Sequence, residues 1–208
     1  DNPGGGDDGG DTLEYDIHQL DSAGGAFSGF AADIDGLGTV VGQAVDNATG
    51  EGFAAYWDVT VAADGTATSL LNLLPNSSNA HATGVNNLGE VVGGRLEGSW
   101  LGLYWPSASD DPLPLPPLSG DTDALPRRIN DAGIVCGESK YYESTPEGPI
   151  YERHPVVWRV TSDNNGNPVI SGPFHLPSVN GTAWDLSESE ADGTVTVAGN
   201  VWDGESSA

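Results

Sequence analysis

The chain has 208 residues, with 31 Asp and Glu against 6 Lys and Arg, so its formal net charge is −25. Charge of that sign and size repels nucleic acid and anionic membrane surfaces, and no apolar run approaches the roughly 18 residues of a membrane-crossing helix. With 30 Gly, 14 Pro and 37% apolar residues, the composition is that of a turn-rich folded protein.

Residues 1–12 are dominated by Gly and Asp, with no large apolar side chain to anchor them, which predicts a flexible acidic leader ahead of a repeat domain over 13–208. A glycine- and aspartate-rich calcium repeat is a sharper reading of the same residues, but such repeats work in tandem and this is one copy. The first structured segment is then Ile17-His-Gln-Leu20. It leads to Ala31-Ala-Asp-Ile-Asp-Gly-Leu-Gly-Thr-Val-Val-Gly42 and on to Phe53-Ala-Ala-Tyr-Trp57. The same order returns twice. Leu71-Asn-Leu-Leu-Pro75 precedes Ala82-Thr-Gly-Val-Asn-Asn-Leu-Gly-Glu-Val-Val-Gly93 and Leu101-Gly-Leu-Tyr-Trp105. Leu113-Pro-Leu-Pro-Pro-Leu118 precedes Pro126-Arg-Arg-Ile-Asn-Asp-Ala-Gly-Ile-Val-Cys-Gly137 and His154-Pro-Val-Val-Trp158. A fourth, looser copy follows Phe174-His-Leu-Pro177, from Ala183-Trp-Asp-Leu-Ser to Gly193-Thr-Val-Thr-Val-Ala-Gly199.

The middle of the repeat has a mechanism. Asn or Asp at the first position of a type I turn, Gly at the fourth and β-branched flanks make each copy a tight hairpin. Asp64-Gly65 and the stretch Asp163 to Asn167 supply further hairpin turns between Trp and leucine segments. No window carries sustained helical periodicity. The expected fold is all-β: a β-propeller-like array of about four four-stranded antiparallel meanders, over about 13–61, 66–106, 112–161 and 168–208. Each unit is expected to run leucine strand, aliphatic-Asn strand, Val-Val-Gly strand, Trp strand, with Trp57, Trp105 and Trp158 buried in equivalent positions. The last unit lacks a Trp strand after Gly199, which makes it incomplete and raises the expectation that the natural chain continues past Ala208. Cys136 stands where sister copies carry Val41 and Val92 and is read as a small buried hydrophobe. As the one cysteine it excludes an internal disulfide.

These units resemble the HAF repeat, a family of extracellular bacterial repeats named after a His-Ala-Phe tripeptide. The shared pattern is small-x-x-Ile-Asn-x-x-Gly-x-Val-Val-Gly followed by His-Ala-Phe-x-Trp. The tripeptide maps onto Phe53-Ala54-Ala55, Leu101-Gly102-Leu103 and His154-Pro155-Val156, and the third keeps the histidine. The resemblance covers about residues 13–202. It implies a secreted or cell-surface location and brings no catalytic residues to carry over.

Chemistry-bearing motifs are sparse. His18, His81, His154 and His175 form no metal pair, and there is no Gly-x-Ser-x-Gly elbow. Gly36-Leu-Gly38 reads as a hairpin turn rather than a phosphate loop, having no third glycine or following helix. Asp33-Ile-Asp35 and the trio Asp163, Asn165 and Asn167 space oxygens at alternate positions, as calcium loops do. Both lack the distal Glu, with Ala44 and Phe174 in its place. Calcium at Asp163, Asn165 and Asn167 is nevertheless the one cofactor the sequence raises, with a plain Asn-Gly turn as the alternative. Asn47, Asn76 and Asn180 open glycosylation triplets, which arise by chance in such a composition.

The longest departure from the repeat is the stretch Glu138 to Arg153, read as a loop inserted before the third Trp segment. Its Lys140, Tyr141, Tyr142, Tyr151 and Arg153 form an aromatic and basic cluster on an acidic chain. Two functions remain. The first is a non-catalytic secreted or cell-surface repeat protein with a structural, adhesive or ligand-binding role toward polysaccharide or protein. The alternative is a propeller-type hydrolase of extracellular polysaccharide, whose carboxylates would converge at one mouth. The charge makes its own prediction. Self-repulsion opposes compaction and is screened beyond about 8 Å at physiological ionic strength, so unfolding midpoints are expected to rise from low to molar NaCl. A flat or falling midpoint would contradict this.

Overall fold

The computed structural model describes residues 17–177, 180–190 and 192–202. The predicted leader, residues 1–12, lies outside the described residues. No helix occurs among those described, so none is long and apolar enough to cross a membrane. The strands form four antiparallel sheets. The first runs β1 (Phe27–Ile34), β2 (Thr39–Asp46), β3 (Gly52–Val61), β4 (Ala67–Ser78), and the second β5 (Ala80–Val85), β6 (Val91–Glu97), β7 (Ser99–Trp105), β8 (Leu113–Leu115). The third runs β9 (Asp123–Ile129), β10 (Ile134–Thr145), β11 (Gly148–Ser162), β12 (Pro168–His175), and β13 (Gly181–Leu186) with β14 (Val197–Val201) makes a fourth. No hydrogen-bonded sheet closes on itself among the described residues.

Each predicted hairpin is present, the fourth as β13 paired with β14, and the first three are closed by the same local chemistry. The side-chain oxygen of Asp35, Asn86 and Asn130 accepts the amides two and four residues on, and Gly38, Gly89 and Gly133 take the left-handed φ that ends the turn. The glycine that ends the motif answers a different constraint. A Cβ on Gly42, Gly93, Gly137 or Gly199 would stand 2.0–2.3 Å from a carbonyl oxygen of the preceding strand, so only a bare backbone fits.

The expected equivalence of the tryptophans holds in detail. Trp57, Trp105 and Trp158 are buried, and each pairs across the sheet with the first valine of the hairpin's second strand: Val40, Val91 and Val135. Each indole N–H donates to a carbonyl that closes the preceding leucine segment, at Asp21 (2.8 Å), Pro75 (3.0 Å) and Pro116 (2.8 Å). The chain's leucine segments therefore serve two sheets, and here the sheet grouping differs from the expected units. Turns at Asp64–Gly65 and Asp163–Gly166 fold β4 and β12 back on the Trp strand before them, so a leucine strand ends one sheet instead of beginning the next. The sheets span 27–78, 80–115, 123–175 and 181–201 rather than 13–61, 66–106, 112–161 and 168–208, and Ile17 to Leu20 forms no strand.

Neighbouring sheets stack through matching cores. Val41, Leu74, Val85, Val91, Leu103 and Trp105 fill the space between the first two sheets, and Val92, Leu115, Ile129, Val135, Val156 and Trp158 fill the next at the same repeat positions. The first strands β1, β5, β9 and β13 lie consecutively beside one another. Arg128 on β9 binds them together: its guanidinium donates to the carbonyls of Thr83 and Ala32 (3.4 Å to the latter) and lies 3.7 Å from Asp33 and 4.0 Å from Asp185. A second link runs along the turns. The amide of Gly36 donates to Asn87 Oδ1 (2.7 Å), that of Asn87 to Asp131 Oδ1 (2.8 Å) and that of Asp131 to Glu188 Oε2 (3.0 Å). Cys136 is buried, and burial pushes its thiol up to about 12, which keeps it protonated and inert.

Trp105→Ala is expected to cost about 3–5 kcal/mol by emptying the seat between two sheets. Gly93→Ala is expected to cost about 1–3 kcal/mol by forcing strands apart. Urea denaturation measures both, and a Trp105→Ala protein as stable as wild type would show that the indole does not join the sheets.

Candidate functional site

The stretch read as an inserted loop is an extension of two strands. β10 and β11 continue past the repeat as a long hairpin, paired from Glu138↔Pro155 to Thr145↔Gly148 around a turn at 146–147. The register sets Tyr142 opposite Tyr151 with ring centroids 4.9 Å apart. Lys140, Tyr141, Tyr142, Tyr151 and Arg153 all line one groove of about 530 Å³, facing the β6–β7 hairpin of the second sheet. That hairpin contributes Trp100, which the repeat pattern did not single out. It is a tryptophan outside the repeated column, and its position immediately before Leu101-Gly-Leu-Tyr-Trp105 in β7 was the available signal. Asp123 accepts the Trp100 amide (2.7 Å) and pins that wall, and Trp100 packs edge-on against His81 at 5.1 Å.

Lys140 and Arg153 do not offer free cations to this groove. Both reach Glu138, at 3.2 and 3.3 Å, where Arg127 (2.7 Å) and the hydroxyl of Thr182 (2.5 Å) also bind. Glu138 is fully buried, and burial by itself would raise its carboxyl. The Thr182 hydrogen bond and the Lys140 and Arg127 charges outweigh it and hold the group below its ordinary value. Three of the chain's six basic residues thus surround one carboxylate that ties β9, β10 and β11 to β13. Arg127 also lies over Trp184 at 4.5 Å, and Arg153 lies 5.6 Å from Trp202. Burial, with the nearby Arg127 charge, lowers His81 so that it stays neutral.

The predicted calcium trio forms a turn of the repeat's own kind. Asp163 Oδ1 accepts the amides of Asn165 and Asn167 (both 2.8 Å), and Oδ2 accepts the Asn167 side-chain N–H (3.1 Å). Asn167 therefore turns a donor, not a carbonyl oxygen, toward the carboxylate, and these hydrogen bonds lower the Asp163 pKa. Among the described residues, no three His, Cys, Asp or Glu side chains are grouped to hold a metal ion.

Near the groove, His154 is held between carboxylates, its Nδ1 2.8 Å from Asp121 and its Nε2 3.5 Å from Glu152. Ser139 stands opposite it in the ladder, but its hydroxyl accepts the Leu118 amide (2.9 Å) and donates to the Asp123 carbonyl (3.3 Å). Both ring nitrogens and the hydroxyl are engaged elsewhere, so the pair is not set as base and nucleophile. Aromatic faces over a polar floor are what the groove has to work with. The chain matches no protein-family model, and no curated protein and no solved structure is significantly similar to it.

Glu138→Gln is expected to destabilise the protein by about 3–5 kcal/mol, because it leaves the Arg127 and Lys140 charges without their buried partner. A carboxyl lowered in the folded state stabilises above its ordinary value, here 4.5, and that contribution is lost as pH falls from there toward the folded value. The gap between wild type and variant in urea midpoints should therefore be constant near neutrality and shrink below about pH 4.5. A gap independent of pH would contradict the assignment.

Proposed function

We propose that this chain is a secreted or cell-surface repeat module of β-propeller-like build and HAF type, that it binds rather than catalyses, and that a polysaccharide occupies the groove beside the long β10–β11 hairpin. Support for the propeller-like arrangement comes from the consecutive first strands, from Arg128 reaching all three other sheets, and from a cavity of about 340 Å³ lined by Phe30, His81, Arg127 and Trp184, one residue from each sheet. The observation that carries the binding function is the convergence of Trp100, Tyr141, Tyr142 and Tyr151 on a single groove. Aromatic rings present flat apolar faces to the C–H face of a sugar at little entropic cost, and their polar edges take hydroxyl hydrogen bonds. The groove's carboxylates Asp123 and Glu152, on a chain of net charge −25, favour a neutral glycan over a sulfated or uronate-rich one.

Tyr142→Ser combined with Tyr151→Ser is expected to weaken binding to neutral polysaccharide at least tenfold in a protein that remains folded, measured by affinity electrophoresis or calorimetry. Tyr141→Ser should add to the loss, whereas Asp163→Ala should leave binding unchanged with or without calcium. Unchanged binding in the double variant removes the groove from the function. Release of reducing ends by wild-type protein would replace the binding role with the hydrolase alternative.

A further inference from the structure

The long β10–β11 hairpin leaves the sheet that carries it. β10 pairs with β9 as far as Lys140↔Asp123, and β11 with β12 as far as Val156↔His175. Beyond these pairs, among the described residues, the two strands have no strand partner but each other. A two-stranded ribbon is marginally stable in water by itself. Across this ribbon Tyr142 and Tyr151 stand directly opposite, with ring centroids 4.9 Å apart and ring planes inclined at 45°. Aromatic pairs range over about 4.5–7 Å, so these rings sit at the close end. Both are open to solvent, Tyr142 at 44% and Tyr151 at 68% exposure.

The side chains that would compete for an oxidant are absent or withdrawn. Sulfur is the ordinary target, as thiolate or thioether. The chain has no methionine, and its one thiol, Cys136, is buried and stays protonated. The exposed indoles of Trp184 and Trp202 lie against the guanidinium groups of Arg127 and Arg153, and a neighbouring cation opposes removal of an electron from the ring. Tyr104 is buried opposite Val92, and Tyr141 stands opposite Glu152. Among the described residues, Tyr142 and Tyr151 are the one pair of tyrosines in ring contact.

We propose that Tyr142 and Tyr151 form an oxidative cross-linking site, at which a haem peroxidase with hydrogen peroxide joins the two rings as dityrosine and locks the hairpin. Each phenol gives up one electron and its O–H proton, leaving two phenoxyl radicals. A carbon ortho to each oxygen joins its counterpart in one new C–C bond, and the hydrogen on each of those carbons returns to its phenol oxygen as a proton. The two electrons and two protons given up break the O–O bond of one peroxide and leave as two waters. Rings already held together couple within one molecule, which replaces a rare encounter between radicals on separate chains. The register of the hairpin is enough for this, whether or not the groove takes a sugar.

The test treats the whole 208-residue chain, at micromolar concentration, with a haem peroxidase and hydrogen peroxide, and follows dityrosine fluorescence and intact mass. The expected product is a monomer lighter by two hydrogens, formed in a yield that does not depend on protein concentration. A glutamate-specific protease cuts after Glu138, Glu143, Glu147 and Glu152, so the digest should contain residues 139–143 joined to residues 148–152, with fragmentation placing the link on Tyr142. Tyr142→Phe keeps the ring packing and should lower the yield at least tenfold, whereas Tyr56→Phe should leave it unchanged. The digest of the wild-type protein decides the matter even if a variant does not fold. Amides of residues 141–145 should exchange at least fivefold more slowly in the cross-linked product, and unchanged exchange overturns the locking role. Dityrosine carried mainly by dimers, a link at Tyr141, or no dityrosine under conditions that couple free tyrosine overturns the proposal.

Discussion

The indole hydrogen bond to the end of the preceding leucine segment is the contact on which the rest of the architecture depends. A four-stranded sheet of this size has two faces and cannot bury both alone. Trp57, Trp105 and Trp158 each fill the gap on one face, and their N–H groups reach a carbonyl that belongs to the preceding leucine segment. A large apolar side chain with one donor suits this position, because a buried donor without a partner costs more than the bond contributes. The backbone constraint at Gly42, Gly93 and Gly137 follows from the same packing: strands held this tightly leave no room for a Cβ. Turn, strand and seat thus recur together because each requires the others.

Against that apolar frame, the few cations are used inward. Arg128 spans carbonyls and carboxylates of three other sheets, and Arg127, Lys140 and Arg153 gather on Glu138. In an acidic chain, positive charge placed between sheets relieves repulsion where the carboxylates of Asp33 and Asp185 approach the same guanidinium. It also leaves aromatic rings rather than free cations along the groove, since the lysine and arginine at its rim are already paired.

Much of this was legible in the repeat. Hairpins, turn residues, the all-β class and the equivalence of three tryptophans followed from spacing and turn chemistry, which are local. The sheet boundaries were not, because hydrogen-bond partnership is decided by which turn is tighter. The short turn at Asp64–Gly65 draws β4 onto β3, although β4's leucines also support the next sheet. Glu138 to Arg153 looked like a loop because its length broke the pattern, yet it is β10 and β11 continued outward as one hairpin. The two unspecified columns after the motif's small residue concealed the most information. Read down the copies, one carries Asp33, Gly84, Arg128 and Asp185, and the other Ala32, Thr83, Arg127 and Trp184. Each column becomes a contact set only once the first strands are side by side: an arginine between aspartates with a glycine making room, and an arginine over an indole. A search for what is shared passes over residues that matter by differing.

The chain of turn contacts from Gly36 through Asn87 and Asp131 to Glu188 has a directional logic. Every link hands a backbone amide forward to a side chain of the following copy, and the middle copies both give and receive. Gene duplication of either middle copy, with Asn87 or Asp131 at this position, therefore preserves every link, while gain or loss of part of one strands a donor and an acceptor at the same time. The turn ladder is in effect a grammar for growth: it lets such arrays lengthen or shorten in evolution by entire repeats and penalises any other step.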